Sequence, residues 1–198
     1  MTGKDIGDKR GRARRYDFTA APEFRHPLIG FAVAALDELL ERVVDQVDDL
    51  PPEAFRYVSP GGWFCLGWLP LHLAVSEYNV IRKMAARLGQ EPVSAGAELE
   101  TLLRYGALQS DGTTPENLKD ARLLVDTMRT VRSEVTLPVC RTIRDPEETL
   151  PDAERLSTPR NVLMHLLWHW TYHSGHIGLM RLEWGSDYEW VMAPPPQT

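Results

Sequence analysis

The sequence predicts an all-α fold, a four-helix bundle, on three observations. Four long segments carry apolar residues at three- and four-residue spacing. Two of them open on a Thr-Pro start signal, at Thr114-Pro115 and Thr158-Pro159. No stretch alternates polar and apolar residues over a useful strand length. One long connection between the second and third helices gives room for a crossover at a bundle end.

The first helix is expected over about Pro27 to Asp49, where Phe31, Leu36, Leu39, Leu40, Val43 and Val47 share a face, and Pro51-Pro52 ends it. A loop rich in Gly, Pro and aromatic residues follows, Ser59 to Trp68. The second helix runs from about Trp68 to Leu88, with Pro70 tolerated in its first turn and Gly89 as its stop. The connection over residues 90–114 is expected to hold a short helix around Ala97 to Tyr105.

The third helix takes Thr114 as its cap, Pro115 at the first position and Glu116 in the first turn, and continues to about Leu137, where Pro138 weakens it. The fourth takes Thr158 as cap and Pro159 at the first position, and runs to about Trp184 before Gly185. The chain thus divides into a flexible basic N-terminal tail (residues 1–24), one helical domain (25–190) and a Pro-rich C-terminal tail (191–198).

A length of 198 residues suits one sizeable core, and 43% hydrophobic with 25% charged residues is ordinary for a globular protein. No apolar run approaches the ~20 residues that cross a bilayer. Cys65 and Cys140 belong to no CxxC pair and read as buried, reduced thiols of a cytoplasmic protein. The net charge of -6 is uneven: the first 15 residues carry six basic side chains against Asp5 and Asp8. The rest of the chain is therefore acidic, which argues against nucleic-acid binding, since phosphate contacts need a basic surface. Arg14-Arg15 is followed by no apolar segment, so an export signal is not supported.

Five of the six histidines fall in two helices: His72 in the second, and His165, His169, His173 and His176 in the fourth. With His165 at zero, His169, His173 and His176 lie at about 40°, 80° and 20° round the helix, so all share one stripe. His169 and His173 have the i, i+4 spacing that lets two imidazoles close on one metal ion. Apolar residues spread over nearly the whole circumference of this helix, which reads as a buried helix whose histidines need partners inside the protein. A metal ion would satisfy several at once, and a structural hydrogen-bond network is the alternative. His72 is the best candidate for a third ligand. It shares its side of the helix with Ser76, Asn79 and Lys83, which places it in a polar cleft near one bundle end. His26, alone at the start of the first helix, reads as a surface residue.

The stretch Leu163-Met-His-Leu-Leu-Trp-His-Trp-Thr-Tyr-His-Ser-Gly-His-Ile-Gly resembles the signature helix of the DinB-like superfamily. The matching positions are His169, His173, Gly175, His176 and Ile177, and Leu71-His-Leu-Ala-Val-Ser-Glu is similar to that family's second-helix motif. The resemblance covers about residues 28–185. It implies an up-down-down-up four-helix bundle, a site for one divalent metal ion on His72, His169 and His173, and a homodimer. His176 stands where the family usually has glutamine, which makes it a candidate fourth ligand or proton carrier.

Three neutral imidazoles leave coordination positions open, as in a catalytic site. Zinc and nickel suit such a set best, with manganese and iron as alternatives. Several DinB-like relatives are thiol-dependent, so the resemblance implies a metal-dependent transferase or hydrolase that activates a small thiol or water, with a small-molecule substrate and a low-molecular-weight thiol as co-substrate. The catalytic candidate is His176, with Glu77 as a second orienter or base, although Glu77 lies about 140° from His72 round the helix. Trp63, Trp68 and Tyr172 are candidates for an apolar mouth, against a plain core role. Two further readings stand beside the enzyme: a non-catalytic stress-response bundle that holds metal or a small ligand, and a dimerisation bundle whose histidines are structural. A second polar group facing the open position, placed to move protons, would favour the enzyme.

Overall fold

The computed structural model describes residues 7–14, 18–62, 64–91, 96–97, 99–101, 103 and 120–194. Helix α1 spans Pro27–Val47. Its cap is His26, whose Nδ1 accepts from the Leu28 amide at 3.2 Å, so the residue read as an ordinary surface histidine closes a helix end. A single 3-10 turn at Ala54–Arg56 leads through the loop into α2, Trp68–Arg87. Helix α2 stops at Gly89, whose φ of 67° suits glycine beyond a helix end.

Of the short helix expected around Ala97 to Tyr105, the described residues 97, 99–101 and 103 are helical. The Thr114-Pro115 signal lies outside the described residues. The third long segment, α3, is capped instead by Asp120, an extended residue whose carboxylate accepts from the amides of Arg122 and Leu123. It comprises Ala121–Thr130, a π-helical turn over Val131–Thr136, and Leu137–Thr142. The helix therefore continues through Pro138, and the wide turn just before it explains how. Proline has no N–H to donate, and the ladder has already lengthened there: the Leu137 amide reaches back to the Arg132 carbonyl. Helix α4, Pro159–Trp184, follows the expected pattern, with Thr158 accepting from the Asn161 amide and Gly185 closing it at φ 106°.

The architecture is all-α. α1 packs on α4, α4 on α2, α2 on α3 and α3 on α1, around a core that includes Leu36, Val43, Leu73, Ile81, Leu124 and Trp170. No helix among the described residues is long and apolar enough to cross a membrane. Cys65 and Cys140 are both buried and are not joined in a disulfide, and burial pushes the Cys140 thiol up to about 12.

Residues 7–14, part of the segment expected as a tail, run beside residues 187–193. A two-residue parallel pair forms there between β1, Lys9–Arg10, and β2, Tyr188–Glu189. Charge complementarity fixes this strap. Lys9 meets Asp48 and Asp49, Arg12 meets Asp45 and Asp48, and Arg14 meets Glu38, so one cationic segment lies along the acidic face of α1. Arg181 of α4 completes the seam, donating to both Asp49 oxygens, to the Gln46 carbonyl and to Ser186.

The expectation that α4 is buried all round is corrected. Its Met164, Trp168, Tyr172, Leu179 and Leu182 are exposed, while Leu163, Leu166, Trp170 and Ile177 fill the core. Apolar periodicity alone does not separate a face buried in the fold from one left for solvent or a partner.

Candidate metal centre

The site forms where the N-terminal half of α2 meets the middle of α4. His72 and His169 face each other across that seam, Nε2 to Nε2 at 3.1 Å. His173 stands one turn beyond His169, and its ring is 4.6 Å from the His169 ring and 4.9 Å from the His72 ring, centroid to centroid. Each of the three offers a ring nitrogen, and these nitrogens all lie within 4.8 Å of one another. The helical spacing that singled out His169 and His173 thus does bring them together, and the half-buried His72 joins them from the second helix.

The electrostatics match the geometry. Burial alone pulls His72 down to about 4. Burial and the neighbouring imidazoles of His72 and His165 do the same to His169, also about 4. His173 falls to about 3 through burial and the imidazoles of His169, His72 and His176. All three are neutral at pH 7, the state in which an imidazole lone pair can bind a metal ion. Two nitrogens at 3.1 Å are at hydrogen-bonding distance if one carries a proton. Among the described residues, the Nδ1 of His169 is buried with no hydrogen-bond partner, as is the Nε1 of Trp68. A cluster of neutral donors with an orphaned buried nitrogen suits an electrophilic ion, and the residues present fit a divalent metal.

His176 lies beside the cluster, its Nδ1 3.3 Å from the Nδ1 of His173. With that nitrogen of His173 engaged, Nε2 is the one left for a ligand. His165 stacks on His169 at 5.8 Å. Aromatic rings wall the group: Trp68 stacks on His72 at 4.3 Å, Phe64 stacks on Trp68 at 5.1 Å, and Tyr172 stands edge-on to His173 and His176. Trp68 and Tyr172 therefore do border the site, Trp63 lies outside the described residues, and Phe64 is an addition that no spacing rule pointed to.

Glu77 is not part of this group. Its two oxygens take the Arg132 guanidinium at 2.7 and 2.9 Å, and Thr136 donates to it as well. Arg132 is held in turn by Asp37 at 2.6 Å and lies over the Trp170 ring. The carboxylate proposed as an orienter is committed to a buried ion pair on the far side of α2, which the angle of about 140° between positions 72 and 77 anticipates.

No curated protein matches the chain. A family model described as Mycothiol-S-transferase matches residues 32–184, most of the 198. The chain belongs to this mycothiol S-transferase family, itself part of the DinB-like superfamily whose histidine motifs its second and fourth helices carry.

Proposed function

We propose that the protein is a metal-dependent thiol S-transferase that holds one divalent ion on His72, His169 and His173. The observation that carries this reading is the convergence of three neutral imidazoles from two helices within 4.8 Å. A divalent ion bound there would supply Lewis acidity, lowering the pKa of a bound thiol so that it is a nucleophile at neutral pH. Zinc or nickel suits three imidazoles best.

The chain's own residues set the rest of the chemistry. His176 holds the ring of His173 through their paired Nδ1 atoms and so presents Nε2 to the site. The same imidazole is the nearest group able to take a thiol proton. Phe64, Trp68 and Tyr172 restrict water at the mouth and favour an apolar electrophile as the acceptor of the thiol. No carboxylate contacts the three histidines among the described residues. That favours a thiol over water as the activated group, because hydrolysis commonly adds a carboxylate base. The reading takes the four long segments as an up-down-down-up bundle, the working unit as a homodimer and the location as cytoplasmic.

The test is elemental analysis of untagged protein purified without chelator, followed by thiol-transfer assays with a small electrophile. About one metal ion per chain, lost with activity in His169→Ala, is the expected result. Protein that takes up no zinc, nickel or manganese would refute the reading.

A further inference from the structure

Apart from Tyr172, which borders the histidine cluster, the exposed face of α4 has no role in the fold or in the metal reading, yet it is built as an interface. We propose that two copies of the chain pair through this face, α4 against α4 and antiparallel, about a two-fold axis near residue 173. The proposal rests on the homodimer reading and assigns the surface that forms it.

Met164, Trp168, Tyr172, Leu179 and Leu182 are between 41% and 62% exposed. They fall on one stripe of the helix, joined by Thr171 and Gly175, and span about 27 Å at 1.5 Å per residue. A stripe of that length exceeds a small ligand and matches a helix. From Asn161 to Met180 the helix contains no Asp, Glu, Lys or Arg. Charge depletion with aromatic and Met enrichment is the composition of an interface centre, not of a solvated face.

The order of residues identifies the occupant as a second copy. Reflected about residue 173, Met164 meets Leu182 and Thr171 meets Gly175, while Trp168 falls one residue from Leu179. A two-fold contact sets each residue against its reflected mate, so the stripe is complementary to itself. Gly175 lies at the centre, and a Cβ added there would meet nothing within 4 Å, which leaves space for the opposing helix. The five large side chains offer about 500 Å² per copy, more than half of the roughly 800 Å² per partner of a stable interface before any rim is counted.

The contact also borders the histidine cluster. Tyr172 stacks on Trp168 at 5.2 Å and stands edge-on to His176 at 4.4 Å. A second copy on the stripe covers the outer side of Tyr172 and narrows the mouth of the site.

Light scattering over a concentration series tests this on the full chain. The expected result is a dimer whose dissociation constant rises 30-fold or more in Leu179→Glu and in Trp168→Glu. Metal content per chain stays as in the parent, because neither side chain is a candidate ligand. An equal mixture of Thr171→Cys and Gly175→Cys chains, mildly oxidised, gives more covalent dimer than either variant alone. A parent that stays monomeric at all concentrations overturns the proposal together with the homodimer reading. A dimer indifferent to both glutamates overturns this surface and leaves the homodimer reading standing. A dimer sensitive to the glutamates, without preferred cross-linking in the mixture, overturns the antiparallel pairing.

Discussion

Two polar clusters reach α2 five residues apart, one buried and one half-buried, and they are built on opposite principles. On one side Glu77, Arg132, Asp37 and Thr136 form a closed set in which both carboxylate oxygens of Glu77 are bonded and one guanidinium serves two carboxylates. On the other side His72, His169 and His173 gather lone pairs with no carboxylate against them among the described residues, and there His169 keeps a buried nitrogen without a partner. A satisfied cluster holds a fold together; an unsatisfied one of neutral donors has capacity left for a ligand.

The largest effect is expected where the closed set is opened. Arg132→Ala leaves the Glu77 carboxylate buried without its cation and should destabilise the protein by about 3–5 kcal/mol in urea unfolding. Replacing Glu77 by Leu and Arg132 by Met together should recover most of that loss, since an apolar pair of similar volume is often no worse. A double variant as unstable as the single one would mean that the ion pair does more than balance itself.

The histidine side should respond to metal instead. Zinc at about 100 times its dissociation constant should stabilise the parent by about 2.7 kcal/mol. His169→Ala should show no such gain, with its metal-free stability close to that of the parent. Equal stabilisation of parent and variant would place the ion elsewhere and erase the contrast between the two clusters.

These two clusters were unequally legible in the sequence. The histidines announce themselves because i, i+4 spacing on one helix is a local signal, and the second-helix motif supplied His72. The angle of about 140° separates Glu77 from His72, but its partner is not legible, since Arg132 is 55 residues away and no local pattern links them. The fold divides in the same way. Thr158-Pro159 and Gly185 bounded α4 correctly, because capping is local chemistry. The π turn ahead of Pro138 and the cap at Asp120 depend on how α3 meets its neighbours. Residues 7–14 were read from composition as part of a solvated tail, yet a signal was present: Glu38, Glu41, Asp45 and Asp48 share one face of α1 and call for cations. The outward face of α4 was the hardest case, because a stripe awaiting a partner has the same apolar pattern as a core.

The strap gives a second closed set on which the comparison can be sharpened by pH. Burial alone would raise the Asp45 carboxyl, but the Tyr188 hydroxyl and the Arg12 amide and guanidinium hold it down to about 2. A carboxyl depressed in the folded state contributes stability that is complete above its unfolded value near 3.8 and is lost as pH falls toward about 2. Asp45→Asn should remove that slope, with a difference of about 1–2 kcal/mol between pH 5 and pH 2. Parallel acid limbs for parent and variant would show that the strap carries no pH-dependent stability.

A subtler effect lies at the edge of the histidine cluster and separates a ligand from the residue that aims it. If His176 only orients His173 through the contact at 3.3 Å, its removal should weaken the site without emptying it. His176→Ala should raise the dissociation constant for zinc by about 10–100-fold, against complete loss in His169→Ala. His176→Gln should restore most of the affinity, because an amide can also hold the His173 ring and glutamine is usual at the matching position of DinB-like proteins. Competition with a chromogenic chelator measures all three. Unchanged affinity in His176→Ala would remove the orienting role, and failure of glutamine to rescue would make His176 a fourth ligand.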